Sequence, residues 1–380
     1  MKGVFRADHV GSLLRPPELL QARTDFADGR ITREQLTEVE DASVLKALDL
    51  QKQAGISVFT EGEYRRSNWA GAVRSSIDGL VPAPQTGSAS ILGTWQGPHG
   101  ELATSTIQAT TVMGPPMVVG EKIRQKSRLA GEEASFLAKH APGPWKITMP
   151  GAMSAGGQLY RPGVTDKVYT REEFTAEIAK ILQAEVEQVI AEGCSYVQID
   201  SLHYVERLTY DLIRDRMIAE GEDPDAYLDE LIAVDNSVLD VAQKGGVTVG
   251  MHMCRGNNRS AWHAEGSYEG IAEKAFQQLH VDRFLLEYDT SRAGGFEPLR
   301  FMPKNKMVVL GLISSKEPAL ESIDDLRRRI DEAAKYVPIE NLAISPQCGF
   351  ASTALGNLLT WDQMKAKLEL VAETAQKVWG

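Results

Sequence analysis

Residues 247–254 read VTVGMHMC. The run is short, mostly apolar and rich in β-branched residues, and it closes on a histidine and a cysteine two places apart. That is the composition of a buried strand. Strand side chains alternate, so His252 and Cys254 face the same side. Similar runs, each ending in polar or glycine residues, recur at 56–61 (ISVFTE), 145–150 (WKITMP), 196–200 (YVQID), 283–288 (RFLLEY), 307–313 (MVVLGLI) and 342–347 (LAISPQ). A weaker run at 3–10 (GVFRADHV) opens the series. Between the runs, apolar residues at three-to-four spacing predict helices over 33–53, 171–192, 225–243, 266–278, 319–336 and 360–378. Thr170 before Arg-Glu-Glu, and Ser322 before an acidic first turn at Asp324, mark two helix starts.

Eight strands alternating with helices predict an α/β fold, a (β/α)8 TIM barrel forming one catalytic domain over residues 1–380. Such barrels average about 250 residues, and the surplus falls mostly before Trp145. Residues 80–118 alternate apolar and polar residues between Gly, Pro and Ser turns. They read as an inserted β-hairpin excursion in the N-terminal third, placed either over the barrel mouth or at a subunit contact. Residues 201–224 read as a long loop region. A doubly wound open sheet is the alternative. It would be favoured by a GxGxxG or Walker A motif, and neither is present.

The 380 residues are 43% hydrophobic and 24% charged, an ordinary globular balance with a net charge of -11. The acidity argues against a nucleic-acid surface and fits a cytoplasmic protein. No apolar run approaches the roughly 20 residues of a membrane span. MKGVFRADHVGS lacks the apolar core of a signal peptide. Three cysteines suit a reducing compartment and do not form a disulfide framework.

Two of those cysteines, Cys254 and Cys348, lie with His252 and Glu287 at or just beyond the C-terminal ends of predicted strands, where barrels carry their active sites. Two thiolates, an imidazole and a carboxylate make a tetrahedral zinc set, so Zn2+ is the expected cofactor. Structural zinc usually takes local loop clusters, and Cys254 and Cys348 are 94 residues apart (348 − 254). Cys194, in EGCSYV where a helix ends and a strand begins, falls on the opposite face and reads as structural. Asp200 ends YVQID, and Glu63 follows SVFT; both are expected to reach the mouth. Glu61 has the opposite parity. At the first strand end His9, Val10, Gly11 and Ser12 offer backbone N–H groups suited to a carboxylate.

The pattern resembles the catalytic C-terminal barrel of the cobalamin-independent methionine synthase family, over nearly the whole chain and in motif order. VGS at 10–12 resembles the first-strand motif that holds the backbone of homocysteine, EGEYRR at 61–66 the second-strand motif, and QID at 198–200 the fourth-strand motif. The resemblance implies substrate contact by Glu63, amine binding by Asp200, and zinc on His252, Cys254, Glu287 and Cys348. The full-length enzyme carries a second, N-terminal barrel, so this chain resembles the short, single-barrel branch. The implied activity is zinc-dependent transfer of a methyl group from a 5-methyltetrahydrofolate-type donor to the thiol of homocysteine. The partners are then a small-molecule thiol and an alkyl donor, with no nucleic acid and no membrane, in a monomer or a homo-oligomer.

Three places depart from the family pattern. Asp200 is followed by Ser201-Leu202 in place of Glu-Pro. The seventh-strand stretch GLISSKEP at 311–318 has serines, Ser314 and Ser315, where the family has a proton-passing histidine. PGAMSAGGQLY at 150–160 has no tryptophan for a pterin, Tyr160 being the nearest aromatic residue. His9 or His203 is a substitute proton donor. The alternatives are an enzyme like epoxyalkane:coenzyme M transferase, with Arg255, Arg259 or Arg292 meeting a sulfonate, and a non-catalytic zinc-stabilised barrel.

Overall fold

The computed structural model describes residues 3–84, 95–97 and 117–380. Six parallel strands form one sheet in sequential order: β3 (Lys146–Pro150), β4 (Tyr196–Ser201), β5 (Thr248–Met253), β6 (Arg283–Glu287), β7 (Met307–Ile313) and β8 (Leu342–Pro346). Every residue of β3 through β8 is buried, as expected of parallel strands covered by helices on one side and packed on themselves on the other. Single parallel bridges extend the sheet at both edges, Ala7 with Ile344 and Phe59 with Trp145. Ser57 N–H donates to Ala7 O at 3.0 Å, joining the two added segments. Eight chain segments thus follow one another in the order of a (β/α)8 barrel.

The first two expected strands are therefore narrowed to bridges. Side chains there take backbone donors that a longer ladder would use: Asp8 Oδ1 accepts from His9 N at 2.8 Å, and Ser57 Oγ from Ala7 N at 3.4 Å. The excursion is framed by an antiparallel pair, β1 (Ile77–Pro82) and β2 (Met117–Gln125). Most of residues 80–118 lies outside the described residues. Within it, Gln96 bridges antiparallel to Trp262, and Trp262 Nε1 donates to Gly97 O at 3.1 Å. That short piece thus pairs with the loop that follows Cys254.

The long helices appear where apolar spacing placed them. Thr32 and Gln35 form a reciprocal capping box on Arg33–Ala54, as do Thr170 and Glu173 on Arg171–Ala191. Among the described residues, the helices Pro17–Ala27, Gly71–Ser75, Gly131–His140 and Ala152–Leu159 were not anticipated. The region 201–224 carries short helices, His203–Glu206 and Asp211–Ala219, rather than one long loop. Among the described residues no helix is long and apolar enough to cross a membrane.

One charged group inside the helix layer sets a measurable property. Asp235 is buried on the helix Pro224–Lys244; its Oδ2 accepts from Tyr204 OH at 2.9 Å and its Oδ1 has no partner. Burial lifts the carboxyl to about 7, against the opposing effect of the Tyr204 hydroxyl. The folded chain keeps a proton that the unfolded chain releases near 3.8. Unfolding therefore releases a proton between about pH 4 and 7, and this residue's contribution to stability falls across that window as pH rises. Asp235→Asn is expected to match the parent near pH 4 and to be more stable at pH 8 by about 1–4 kcal/mol, read by urea unfolding at both pH values.

Candidate metal centre

His252 lies on β5, Cys254 follows it, Glu287 ends β6 and Cys348 follows β8. Gly311 lets these ends converge. A Cβ there would lie 2.8 Å from both Gln347 Cα and Leu286 O, so a side chain would push the Cys348 loop away from Glu287. One ligand atom from each of the four residues lies within 4.8 Å of all the others, and all four residues are buried. The two sulfurs are 3.6 Å apart; a tetrahedral zinc with sulfur at about 2.3 Å sets that separation at about 3.8 Å.

The donors are held in ligating orientation. His252 Nδ1 lies 3.2 Å from Leu285 O, a carbonyl that can only accept, so Nδ1 carries the proton and Nε2 presents its lone pair. Nε2 is buried on the side of Cys348 and makes no hydrogen bond of ordinary geometry among the described residues. Glu287 Oε1 accepts from Arg255 N at 2.7 Å, and Cys254 Sγ accepts from Gly256 N at 3.3 Å. With its amide nitrogen toward the carboxylate, Gln347 donates to Glu287 Oε2 while its oxygen accepts from Lys316 Nζ at 2.5 Å and Ser315 Oγ at 3.0 Å.

Protonation follows from this crowding. Cys254 and Cys348 share one S–H···S hydrogen bond, so the thiol that keeps its proton is pushed up and the thiolate that accepts it is held down. Burial lowers His252, but Cys348, Asp200 and Glu287 together outweigh it and lift the imidazole to about 9. Burial raises Glu287. A divalent cation would release these protons. The donor chemistry, the sulfur spacing and the orphaned Nε2 fit zinc.

Beside this pocket lie the other expected residues. Asp200 is the register partner of His252 on the adjacent strand. Burial raises its carboxyl to about 7, and His252 works the other way. Glu63 sits at φ 59°, a left-handed conformation rare outside glycine. Its Oε1 accepts from Thr148 Oγ1 at 2.9 Å, its Oε2 is buried without a partner, and burial raises its pKa. Glu61 faces away, its carboxylate 3.3 Å from Arg65 Nε. Gly11, at φ 147°, packs against Glu63: a Cβ there would stand 3.1 Å from Glu63 Oε1 and 2.7 Å from Thr148 Cγ2. The carbonyls of Val10, Gly11 and Ser12 accept from Gln198 Nε2 (2.6 Å), Thr60 Oγ1 (2.8 Å) and Phe350 N (2.9 Å). Ser12 Oγ accepts from Ala351 N at 3.2 Å, which ties this segment to the Cys348 loop.

The remaining expected residues are engaged elsewhere. His9 Nε2 lies 3.2 Å from Val58 O, and burial lowers the ring to about 3. His203 Nδ1 meets Tyr227 OH at 2.7 Å, and burial lowers it to about 4. Neither imidazole is a cationic acid at neutral pH. Arg255 stacks over Tyr268. Arg292 is the exception: it stacks over Trp262 and pairs with Asp289, but its Nη2 also lies 3.7 Å from Glu287 Oε2, at the edge of the donor set. Cys194 is buried beyond the other end of the sheet; its Sγ is 3.2 Å from Tyr196 O and burial raises the thiol to about 12. Sequence reading gave no role to Thr148, Gln347 or Lys316, nor to Gln198, although QID at 198–200 stood out as a motif. The only signal was a polar residue inside an apolar run, which does not name its partner.

Fold and site together define the class: an α/β barrel with a buried donor set of two cysteines, one histidine and one glutamate at its strand ends. The chain belongs to the cobalamin-independent synthase catalytic-domain family, whose model matches residues 5–377. An uncharacterized Bacillus subtilis protein, YxjG, is 36% identical over 100% of this chain and 96% of its own length. The 5-methyltetrahydropteroyltriglutamate–homocysteine methyltransferase of Thermotoga maritima is 21% identical over 99% of this chain, which spans 44% of that enzyme. Among solved structures, a Listeria monocytogenes protein assigned as a vitamin-B12-independent methionine synthase superposes with a TM-score of 0.71 at 25% identity, covering 100% of this chain and 99% of that one.

Proposed function

We propose that this chain, as one catalytic barrel over residues 1–380, is a zinc-dependent S-methyltransferase that converts homocysteine to methionine using a 5-methyltetrahydrofolate-type donor. The observation that carries the reading is the pair of buried carboxylates, Glu63 and Asp200, which lie beside the four metal-ligand candidates and make no ion pair within 4 Å among the described residues, Arg66 and His252 acting on them only at longer range. Buried charge is retained where something neutralises it, and an α-ammonium group meets that need. The N–H groups of Val10, Gly11 and Ser12 have no partner among the described residues and suit the α-carboxylate. An amino acid gripped at both groups presents its side chain toward Cys254 and Cys348.

His252, Cys254, Glu287 and Cys348 would hold the zinc, which lowers the pKa of an incoming thiol so that sulfur arrives as a nucleophile at neutral pH. Arg255 N–H, Gln347 and Lys316 supply alternative partners for the Glu287 carboxylate, the hardest of the four donors. In the reaction the sulfur–carbon bond forms as the methyl–nitrogen bond of the donor breaks; the donor nitrogen keeps the bonding pair and takes up one proton, which balances the proton the thiol gives up. On the donor side Ser314 and Ser315 stand in place of an imidazole, and Arg171 stacks over Tyr160 at 5.3 Å.

Chelation tests the metal's role. Dialysis against a chelator is expected to abolish methyl transfer while circular dichroism keeps its native amplitude, and added zinc should restore turnover. Loss of the folded signal together with activity would instead assign a structural zinc.

A further inference from the structure

Glu63 and Asp200 are each held by a neutral side chain, and each of those side chains leans on a buried cation. On one side Thr148 Oγ1 accepts from Arg66 Nη1 at 3.3 Å and donates to Glu63 Oε1 at 2.9 Å. Arg66 is locked in turn by Glu133, at 2.5 and 2.6 Å. On the other side Gln198 Oε1 accepts from Lys146 Nζ at 2.7 Å, and Gln198 Nε2 donates to Asp200 Oδ1 at 2.7 Å. Lys146 is held by Asp8 at 2.8 Å. Thr148 and Gln198 are register partners on β3 and β4, so the two relays stand side by side at one level of the barrel.

The cations set the polarity of both relays. A guanidinium and an ammonium can only donate. The Thr148 hydroxyl proton is therefore left for Glu63, and the Gln198 amide must turn its oxygen to Lys146 and its nitrogen to Asp200. Neither carboxylate lies within 4 Å of a lysine, arginine or histidine nitrogen among the described residues. Direct pairing would neutralise each carboxylate with a tethered cation that an incoming ligand would have to displace. A neutral spacer supplies aim and one hydrogen bond, and leaves the charge to be met by the ligand.

We infer that Thr148 and Gln198 are positioning residues that make the site selective for thiols bearing an α-ammonium group, by keeping Glu63 and Asp200 aimed and uncompensated. This rests on the amino-acid reading of the site given above. Zinc-loaded protein is titrated calorimetrically with L-homocysteine and with 4-mercaptobutanoic acid, which lacks the amine. The parent should prefer homocysteine by about 100-fold or more. Thr148→Val and Gln198→Leu should each weaken homocysteine about 10- to 100-fold, move the des-amino thiol by less than about threefold, and so collapse the preference. Thr148→Ser, which restores the hydroxyl, should recover it. Thermal melting separates loss of fold from loss of aim, and the valine–serine pair at 148 decides the matter alone if the Gln198 variant unfolds. A parent that binds both thiols equally overturns the ammonium reading itself. A parent that discriminates, with variants that discriminate equally well, overturns the role of the spacers.

Discussion

Cys348→Ser is expected to cut zinc in the dialysed protein from about one per chain to below about a tenth, and methyl transfer by at least about 1,000-fold, while the melting midpoint stays within about 4 °C. Residues that merely orient a metal ligand cost about 10- to 100-fold when removed, and loss of the thiolate itself exceeds that. Cys348 supplies one of only two sulfur donors in the set of four, and a serine hydroxyl at that position is a far poorer zinc ligand than a thiolate. The fold should survive because other contacts hold its loop. Asn257 Nδ2 donates to Gly349 O at 2.7 Å, and Phe350 N donates to Ser12 O at 2.9 Å. Cys194→Ser is the control and should keep both zinc and turnover, since that thiol lies at the far end of the sheet against Tyr196 O. Normal turnover by the Cys348 variant would refute the zinc mechanism, and metal content by atomic absorption beside a thermal melt gives the other two readouts.

What sequence revealed of this site, and what it hid, divides along contact range. The spacing of His252 and Cys254 follows from the period-two strand and needs no partner to be legible. Glu287 and Cys348 were readable because a carboxylate or thiol closing an apolar run is poorly explained by packing alone. Thr148 and Gln198 were not readable, because their meaning depends on Arg66, 82 residues away, and Lys146, 52 residues away. The fold divides the same way. Apolar periodicity located the long helices, but Ala152–Leu159 carries Gly156 and Gly157, which depress helix propensity. It forms where Gly156 packs against Phe174 and Ile178, a tertiary contact invisible to propensity. The first two strands were overread because the side chains of Asp8 and Ser57 take nearby backbone donors. Sequence also left open whether the excursion turns to the mouth or outward. Its described piece pairs with Trp262, eight positions past Cys254 (262 − 254), through both the backbone and the indole.

Asp200→Asn is expected to raise the KM for homocysteine about 10- to 150-fold, the equivalent of the roughly 1.5–3 kcal/mol of a hydrogen bond to a charged group, with full zinc content and a smaller change in kcat. The substitution keeps shape, and Gln198 Nε2 can still donate to the remaining oxygen. What changes is charge: the amide turns a donor toward an ammonium group, where the carboxylate offered an acceptor with a negative charge. The pH dependence distinguishes this from a packing defect. Burial lifts Asp200 to about 7, with His252 pulling the other way. Only the ionised carboxylate attracts an ammonium, so parent affinity should rise with pH up to the carboxyl's midpoint and level off above it, by up to about tenfold per unit below that midpoint. Bound zinc would replace the imidazolium, because a ligating His252 is neutral, and would leave the sign of the slope unchanged. The asparagine variant has no group to ionise there and should keep only the shallower rise that comes from the thiol's own proton, which parent and variant share. Isothermal titration of zinc-loaded parent and variant with L-homocysteine between pH 5.5 and 8.5 reads both effects at once. A variant that binds as tightly as the parent, with the same pH profile, would take the ammonium away from Asp200 and leave Glu63 as the only carboxylate able to receive it.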